Sequence, residues 1–416
     1  MDKLVIRGNR HLTGKVSISG AKNAVLPIMA ATLLTDGVSH IKRVPRLRDT
    51  KTMIRLLDII GAATDLNDDI LTIDTTTVNN PEAPYDLVKT MRASFYVLGP
   101  LVAKFGTARV SQPGGCAWGP RPIDLHLKGL EKLGAEVTLA GGYITAKADR
   151  LQGNKINFEI SSVGATGNIV MAAVLAEGET VIENAAREPE IVQLCQFLNL
   201  MGAEINGVGT DVLTINGVEE LSPRDIAVIP DRIEAGTFMI AGAMLGDITV
   251  CDIIPEHLLA VIDRLEETGA GISQGDDWIR VKQLEPIKPV DVTTAVYPGF
   301  PTDLQAQWVA LMGLSDGTAV VTDTIYNDRF SHIPELSRLG AKIKLENNVA
   351  VIYGRDELQG APVMSTDIRA SASLILAGLA AQGVTEVSRI YHIDRGYEQI
   401  EEKFRQLGAV IDRRSE

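Results

Sequence analysis

Cys116 stands in the loop QPGGCAWGPRPID, among Gly114, Gly115 and Gly119 and shortly before Arg121. A thiol in a glycine loop is poorly placed for packing, and a cationic neighbour with nearby loop N–H groups favours its thiolate below the free value of ~8.5. Proton transfer or nucleophilic attack is the chemistry such a residue suits, and the bland alternative is a small hydrophobe filling a turn. Cys195, in the apolar stretch EIVQLCQFLNLMG, and Cys251, in a β-branched stretch, read as core cysteines. Arg329 in NDRFSH and Arg395 in HIDRGYE fall in loops equivalent to the one that ends at Arg121. Three arginines recurring at one position suggest a convergent anion pocket, although most loop arginines make surface ion pairs, and for Arg329 alone both readings stand.

A second set lies where short apolar helices should begin. It comprises Lys22 and Asn23 in SGAKNA, Arg92 in TMRASF, the small-residue stretches SSVGATGN and PDRIEAGTF, Asp303 in GFPTDLQ, and Asp367 with Arg369 in TDIRAS. Helix N-termini carry unpaired N–H groups and a partial positive charge, so they suit phosphates and carboxylates. Helix grammar alone makes Asp303 an N-terminal helix charge. Its position opposite the arginines makes it a candidate base. His126, His332 and His392 are near these loops, but no motif pairs them with a nucleophile, so they read as supporting residues. The chain has no GxxxxGK[ST] loop, no complete GxGxxG after a strand and no HExxH, so nucleotide hydrolysis, nicotinamide binding and zinc hydrolysis lack their usual parts.

The elements that must position these residues form a six-fold repeat. Six amphipathic segments end in IIGAA, LGAEV, MGAEI, TGAGI, LGAKI and LGAVI, and their glycines, Gly61, Gly134, Gly202, Gly269, Gly340 and Gly408, are 73, 68, 67, 71 and 68 residues apart. This period exceeds the roughly 20–50 residues of solenoid repeats, so each unit is several elements making one face of a domain. Each unit should run from a short apolar helix (NAVLPIMAATLL, SFYVLGPLVAKF, NIVMAAVLA, TFMIAGAML, LQAQWVALMGL, SASLILAGLAA) through a turn at Gly37, Gly106, Gly178, Gly246, Gly317 or Gly383 into a β-branched strand. A loop follows, and then a second helix, such as PIDLHLKGLEKLG, closed by its glycine. Helices apolar nearly all round must be buried on several sides. The expected fold is therefore α/β, with three units in each of two domains, residues 21–230 and residues 1–20 plus 231–416. A single six-unit ring is the alternative.

At 416 residues, with 45% hydrophobic, 22% charged and 5% aromatic content, the composition is that of a soluble two-domain protein. A net charge of −13 argues against nucleic acid as a partner. No apolar run reaches the ~18 residues needed to span a bilayer, and the start of the chain alternates like a strand rather than a signal peptide, so a cytoplasmic protein is expected. Three cysteines without a CxxC pair give no disulfide framework or zinc site.

Through SGAKNAVLP, PYDLVKTMRAS, PGGCAWGPRPIDLH, AAREPEI, PDRIEAGTF, FPTDLQAQ, DIRASASL and IYHIDRGYE the chain resembles the UDP-N-acetylglucosamine enolpyruvyl transferase family over essentially its whole length. The resemblance implies a two-domain inside-out α/β barrel of six repeats. It also implies transfer of the enolpyruvyl group of phosphoenolpyruvate to the 3-hydroxyl of UDP-N-acetylglucosamine, the first committed step of peptidoglycan synthesis. It assigns Lys22, Arg121 and Arg395 to the phosphoenolpyruvate anion, with Asn23 beside them and Arg92 adding positive charge. Cys116 becomes the loop acid and the target of a phosphonate epoxide such as fosfomycin. The UDP-sugar would be lined by Arg121, Pro122, Ile123, Asp124, Leu125, the turn Ser162, Val163 and Gly164, Ile325, and Asp303 facing the attacking hydroxyl. Arg329, Asp367 and Arg369 join the substrate-binding set. Ile160 precedes the serine turn where some members place a lysine, and Trp118 and Pro120 sit in the catalytic loop. No metal or cofactor is called for, and a monomer is expected. The alternatives are an enolpyruvylshikimate-phosphate synthase, which lacks the PGGC loop, and a non-catalytic UDP-sugar-binding regulator.

Overall fold

The computed structural model describes residues 2–9, 11–112, 123–284 and 286–415. Cys116, Arg121, Pro122, Trp118 and Pro120 therefore lie outside the described residues. The chain divides into two compact units, one made of Met1–Ser19 with Pro230–Glu416 and the other of Gly20–Ile229.

Among the described residues, six four-stranded sheets share one strand order. In the sheet Lys155–Asn157, Glu179–Glu183, Val212–Asn216, Glu204–Asn206 the first pair is parallel and the other two pairs are antiparallel. The parallel pair is bridged by a helix, Val163–Ala173, and the antiparallel hairpin follows a second helix, Pro189–Met201. A parallel pair needs such a crossover, whereas the antiparallel pair closes through a short turn.

Two of the sheets are completed by residues far away in sequence. Strand Asp2–Arg7 pairs antiparallel with both Val384–Ser388 and Val410–Ser415, and Leu12–Ser17 pairs parallel with Gly246–Cys251. The start of the chain therefore belongs to the unit built by its second half. In the other unit, Ile226–Ala227 returns to pair with Val38–Lys42.

The first helix of each repeat is buried on nearly every side. Arg232–Leu245 is buried from Ile233 to Leu245, Ile368–Ala380 from Arg369 to Leu379, and Gln305–Met312 throughout. They pack on one another, as do Lys22–Ala31 and Val163–Ala173 in the other unit. The second helix Arg48–Ile60 buries one stripe only. It comprises Asp49, Thr50, Met53, Leu56, Leu57 and Ile60, the spacing of one helical face. All six glycines that end these segments have positive φ, between 88° and 110°. At Gly61 and Gly202 the residue is the left-handed C-cap whose N–H answers the last helix carbonyls, a conformation that a Cβ disfavours.

Three local expectations change. SFYVLGPLVAKF is not one helix but a 3-10 turn, Arg92–Val97, leading into Leu98–Phe105, and Ile123 stands before the loop helix, which begins at Asp124. Gly246 is not a turn. It begins strand Gly246–Cys251, where a Cβ would lie 2.0 Å from the Leu12 carbonyl oxygen, so the parallel strand can approach only glycine there.

Candidate functional site

In the unit Gly20–Ile229, the candidate side chains Lys22, Asn23, Arg92 and Ser162 sit at helix starts that pack together: Lys22–Ala31 and Val163–Ala173 both pack on the Arg92–Val97 turn. Lys22 occupies the first turn of its helix and is 9% exposed. A cation is at the unfavourable end of the helix dipole there, so it calls for an anion. Asp49, in the first turn of Arg48–Ile60, supplies one, with its Oδ2 2.8 Å from Lys22 Nζ. Asn23 is the one half-exposed residue of the same helix. Arg92 opens the 3-10 turn.

Ser162 is the N-cap of helix Val163–Ala173 and accepts a hydrogen bond from the Ala165 N–H at 3.3 Å, so Val163 and Gly164 form the first turn. Gly164 is small for a reason: a Cβ there would come within 3.2 Å of His126 Nε2. His126 itself is held by Asn168, whose Nδ2 lies 3.0 Å from His126 Nδ1 and 3.0 Å from the Phe95 carbonyl oxygen, and whose Oδ1 accepts from the Gly99 N–H at 2.6 Å. That arrangement makes Nδ1 an acceptor and places the ring proton on Nε2. Burial, reinforced by the charge of Arg92, pushes the His126 pKa down to about 3, so the ring is neutral. Ile123, Asp124 and Leu125 lead into the helix that carries His126, with Asp124 exposed and Leu125 buried.

In the unit Met1–Ser19 with Pro230–Glu416, three buried helices begin near an aspartate, and one of the three aspartates is used differently from the other two. Asp231 and Asp367 cap their helices, accepting from the N–H groups of Ile233 and Glu234 and of Arg369 and Ala370. Asp303 makes no such cap. Its Oδ1 is 2.7 Å from Arg329 Nη2 and its Oδ2 is 2.6 Å from Arg369 Nη2. Burial would raise its pKa, but the Arg369 and Arg329 guanidiniums prevail and hold the carboxyl well below the ordinary carboxylate range. Helix grammar alone does not describe Asp303: the two buried guanidiniums are stronger donors than backbone N–H groups, and the carboxylate joins them in an ion triad.

Beneath the triad, Gln307 Nε2 donates to the Asp303 carbonyl oxygen at 3.1 Å and to Tyr397 Oη at 3.1 Å, and Tyr397 Oη lies 2.9 Å from Thr237 Oγ1. Arg395 ends the 3-10 turn Ile390–Arg395. That turn is held through its neighbour Asp394, which takes two bonds from Arg413 at 2.7 and 3.0 Å while Arg413 also reaches Glu401 at 2.6 Å. The structure thus brings Asp303, Arg329 and Arg369 into contact. The backbone N–H of Ile325 is held by Asp323. Cys195 is buried and its pKa is pushed up to about 12 by burial, and burial also raises that of Cys251. Among the described residues no group of acidic, histidine or cysteine side chains could hold a metal ion.

Sequence reasoning missed Asp49, Asn168 and Asp323. Asp49 in RLRDTKT and Asp323 in VTDTI stand among polar neighbours with nothing to mark them, and their partners are set by folding alone.

A family model described as EPSP synthase (3-phosphoshikimate 1-carboxyvinyltransferase) matches residues 6–404. The chain is 55% identical over 414 residues to the UDP-N-acetylglucosamine 1-carboxyvinyltransferase of Geobacter metallireducens, covering 99% of each chain. The chain belongs to the UDP-N-acetylglucosamine 1-carboxyvinyltransferase family. A second relative of that description, from Chloroherpeton thalassium, is 55% identical over 419 residues, covering 100% of this chain and 98% of the other. Among solved structures, the enolpyruvyl transferase NikO from Streptomyces tendae matches with a TM-score of 0.90 at 26% identity, covering 99% of this chain and 98% of that one. The EPSP synthase from Acinetobacter baumannii matches with a TM-score of 0.78 at 18% identity over 100% of both chains, a likeness of fold alone. Family members are enolpyruvyl transferases, and no helix among the described residues is long and apolar enough to cross a membrane.

Proposed function

We propose that this chain transfers the enolpyruvyl group of phosphoenolpyruvate to the 3-hydroxyl of UDP-N-acetylglucosamine with release of phosphate. The end-to-end likeness to the curated enzymes carries the reading. In this scheme the sugar hydroxyl adds to C2 of phosphoenolpyruvate while C3 gains a proton. The tetrahedral adduct then loses phosphate as C3 gives a proton back, so the carbon framework ends as an enol ether. Cys116 supplies the C3 proton and Asp303 accepts the hydroxyl proton, each worth about 10²–10⁴-fold.

Lys22, Arg121 and Arg395, with Asn23 and Arg92, take the phosphoenolpyruvate anion and stabilise the departing phosphate. Pro122, Ile123, Asp124, Leu125, Ser162, Val163, Gly164 and Ile325 line the UDP-sugar site, and Asp367 caps the helix that presents Arg369. Asp303 paired to two arginines is a weak base. An arginine that turns to a substrate anion leaves it a stronger one.

The same reading takes each unit as three repeats of an inside-out α/β barrel, supported by three sheets of one strand order per unit and by helices buried on nearly every side. It treats the enzyme as a monomer. It places the enzyme in the cytoplasm because both substrates are phosphorylated metabolites, and it needs no cofactor because acid, base and cations suffice.

Incubation with both substrates should release phosphate and yield a UDP-sugar heavier by one enolpyruvyl group. Phosphate release that requires shikimate 3-phosphate instead would mark the shikimate reaction, and binding of the UDP-sugar without phosphate release would mark a regulator.

A further inference from the structure

The segment that follows strand Thr318–Thr322 carries Ile325 and Arg329 and begins at Asp323, whose side chain is fully buried. Its Oδ1 accepts from the N–H groups of Ile325 and Tyr326, both at 2.9 Å, and from Thr294 Oγ1 at 2.8 Å. Oδ2 accepts from Thr302 Oγ1 at 2.7 Å. Thr302 Oγ1 accepts in turn from Arg329 Nη1 at 3.0 Å, and Arg329 Nη2 meets Asp303 Oδ1 at 2.7 Å. The Oδ1 bonds alone describe an ordinary turn in which an aspartate holds the next N–H groups. Oδ2 does something else, because it reaches across to the residue beside Asp303.

The direction of this chain of bonds is set by chemistry. An ionised carboxylate can only accept, so the single hydroxyl proton of Thr302 must point at Asp323 and its lone pairs are left facing Arg329. Arg329, a donor only, is thereby offered an acceptor on one nitrogen and Asp303 on the other. An asparagine at 323 would spoil the direction, since its NH₂ facing Thr302 would turn the hydroxyl proton toward the guanidinium.

We propose that Asp323 is a positioning residue for the transfer reaction: through Thr302 Oγ1 it aims Arg329 at Asp303. This rests on the reading of Asp303 as the proton acceptor.

The test measures kcat, the KM of each substrate, and Tm in purified full-length variants. Asp323→Asn and Thr302→Val should each lower kcat, by up to about a hundredfold for a misaimed catalytic contact. The double variant should be no slower than Asp323→Asn alone, and Thr302→Ser, which restores a hydroxyl, should recover most of the rate. Asn348→Ala is the structural control. Asn348 bonds the Asp323 main chain, where its Nδ2 donates to the carbonyl oxygen at 3.0 Å and its own carbonyl accepts the N–H at 3.0 Å. That variant should lose Tm and keep its kcat.

Wild-type turnover in Thr302→Val, losses that multiply in the double variant, or an Asn348→Ala enzyme as slow as Asp323→Asn would each overturn the positioning role. Asp303→Asn separates the two levels of inference. Its turnover at the wild-type rate would remove the base on which the proposal rests, whereas an inactive Asp303→Asn beside a fully active Thr302→Val would sink the positioning role alone.

Discussion

Arg369 holds Asp303 from one side, with 2.6 Å between Nη2 and Oδ2, while Arg329 holds it from the other. Arg369 is itself buried against the Tyr397 ring and feels the charge of Asp231 as well as that of Asp303. A carboxyl with a depressed pKa contributes stability that is fully present above the ordinary carboxylate value and is lost as pH falls through the lowered one. Arg369→Gln removes the first of the two cations that depress it, so the acidic limb of the kcat profile should move to higher pH. Profiles of the two enzymes at saturating substrate check this, and superimposable acidic limbs would show that Asp303 is not the titrating base.

Lys22 and Asp49 form a buried pair at 2.8 Å, with side chains 11% and 4% exposed. Lys22→Ala should raise the KM for phosphoenolpyruvate by about ten- to a hundredfold, the worth of about 1.5–3 kcal/mol for a charge-assisted bond. The UDP-sugar affinity should change far less. Asp49→Ala should instead cost stability, up to about 3–5 kcal/mol, by leaving a buried ammonium without its carboxylate. Substrate titrations and urea melts separate the effects; equal loss of both substrate affinities in Lys22→Ala would mean that the fold, not the anion site, was disturbed.

Reactivity should single out Cys116. With the Cys195 pKa pushed up to about 12 and that of Cys251 also raised by burial, neither offers much thiolate at neutral pH. A phosphonate epoxide such as fosfomycin should therefore alkylate Cys116 alone and stop turnover, faster with UDP-N-acetylglucosamine present. Cys116→Asp should keep activity with a more acidic optimum and escape the epoxide, and Cys116→Ala should lose the acid. Peptide mass mapping after treatment decides the matter: an adduct on Cys195 or Cys251, or full activity in Cys116→Ala, would contradict the assignment.

His126 and His332 are both held neutral, each with a pKa pushed down to about 3, by burial first and then by Arg92 and Arg329 respectively. The unfolded chain binds a proton at each near the ordinary value of 6.5, so stability should fall as pH drops from there toward about 3. Urea midpoints measured across this window should decline less steeply in His332→Gln, whose replacement does not titrate. Ring signals of His126 that titrate near the ordinary value would show that the ring is not held neutral.

Much of the architecture was legible because it is local. The six glycines near 70-residue spacing mark helix ends, since only glycine takes φ near +90° cheaply, and the apolar helices announce burial by having no polar face. Lys22, Arg92, Asp303 and Arg369 stood out because charged residues at buried helix starts break the pattern around them.

Tertiary structure decided which of these charges meet. Asp231 and Asp367 cap their helices, yet Asp303, at the same place in its repeat, turns to arginines 26 and 66 residues further along the chain. Locally Asp303 stands inside the 3-10 turn Thr302–Leu304 rather than at an N-cap, and its choice of partner depends on cations delivered by other repeats. The same holds for Asp323, which meets Thr302 across 21 residues, for Asn168, which meets His126 across 42, and for Asp2–Arg7, which closes a sheet with the far end of the chain. Helix ends and buried faces depend on each residue's own backbone and side chain, so the sequence by itself determined them. Ion triads, relays and sheet closures depend on which donors and acceptors packing leaves within reach, and that is a property of the folded chain.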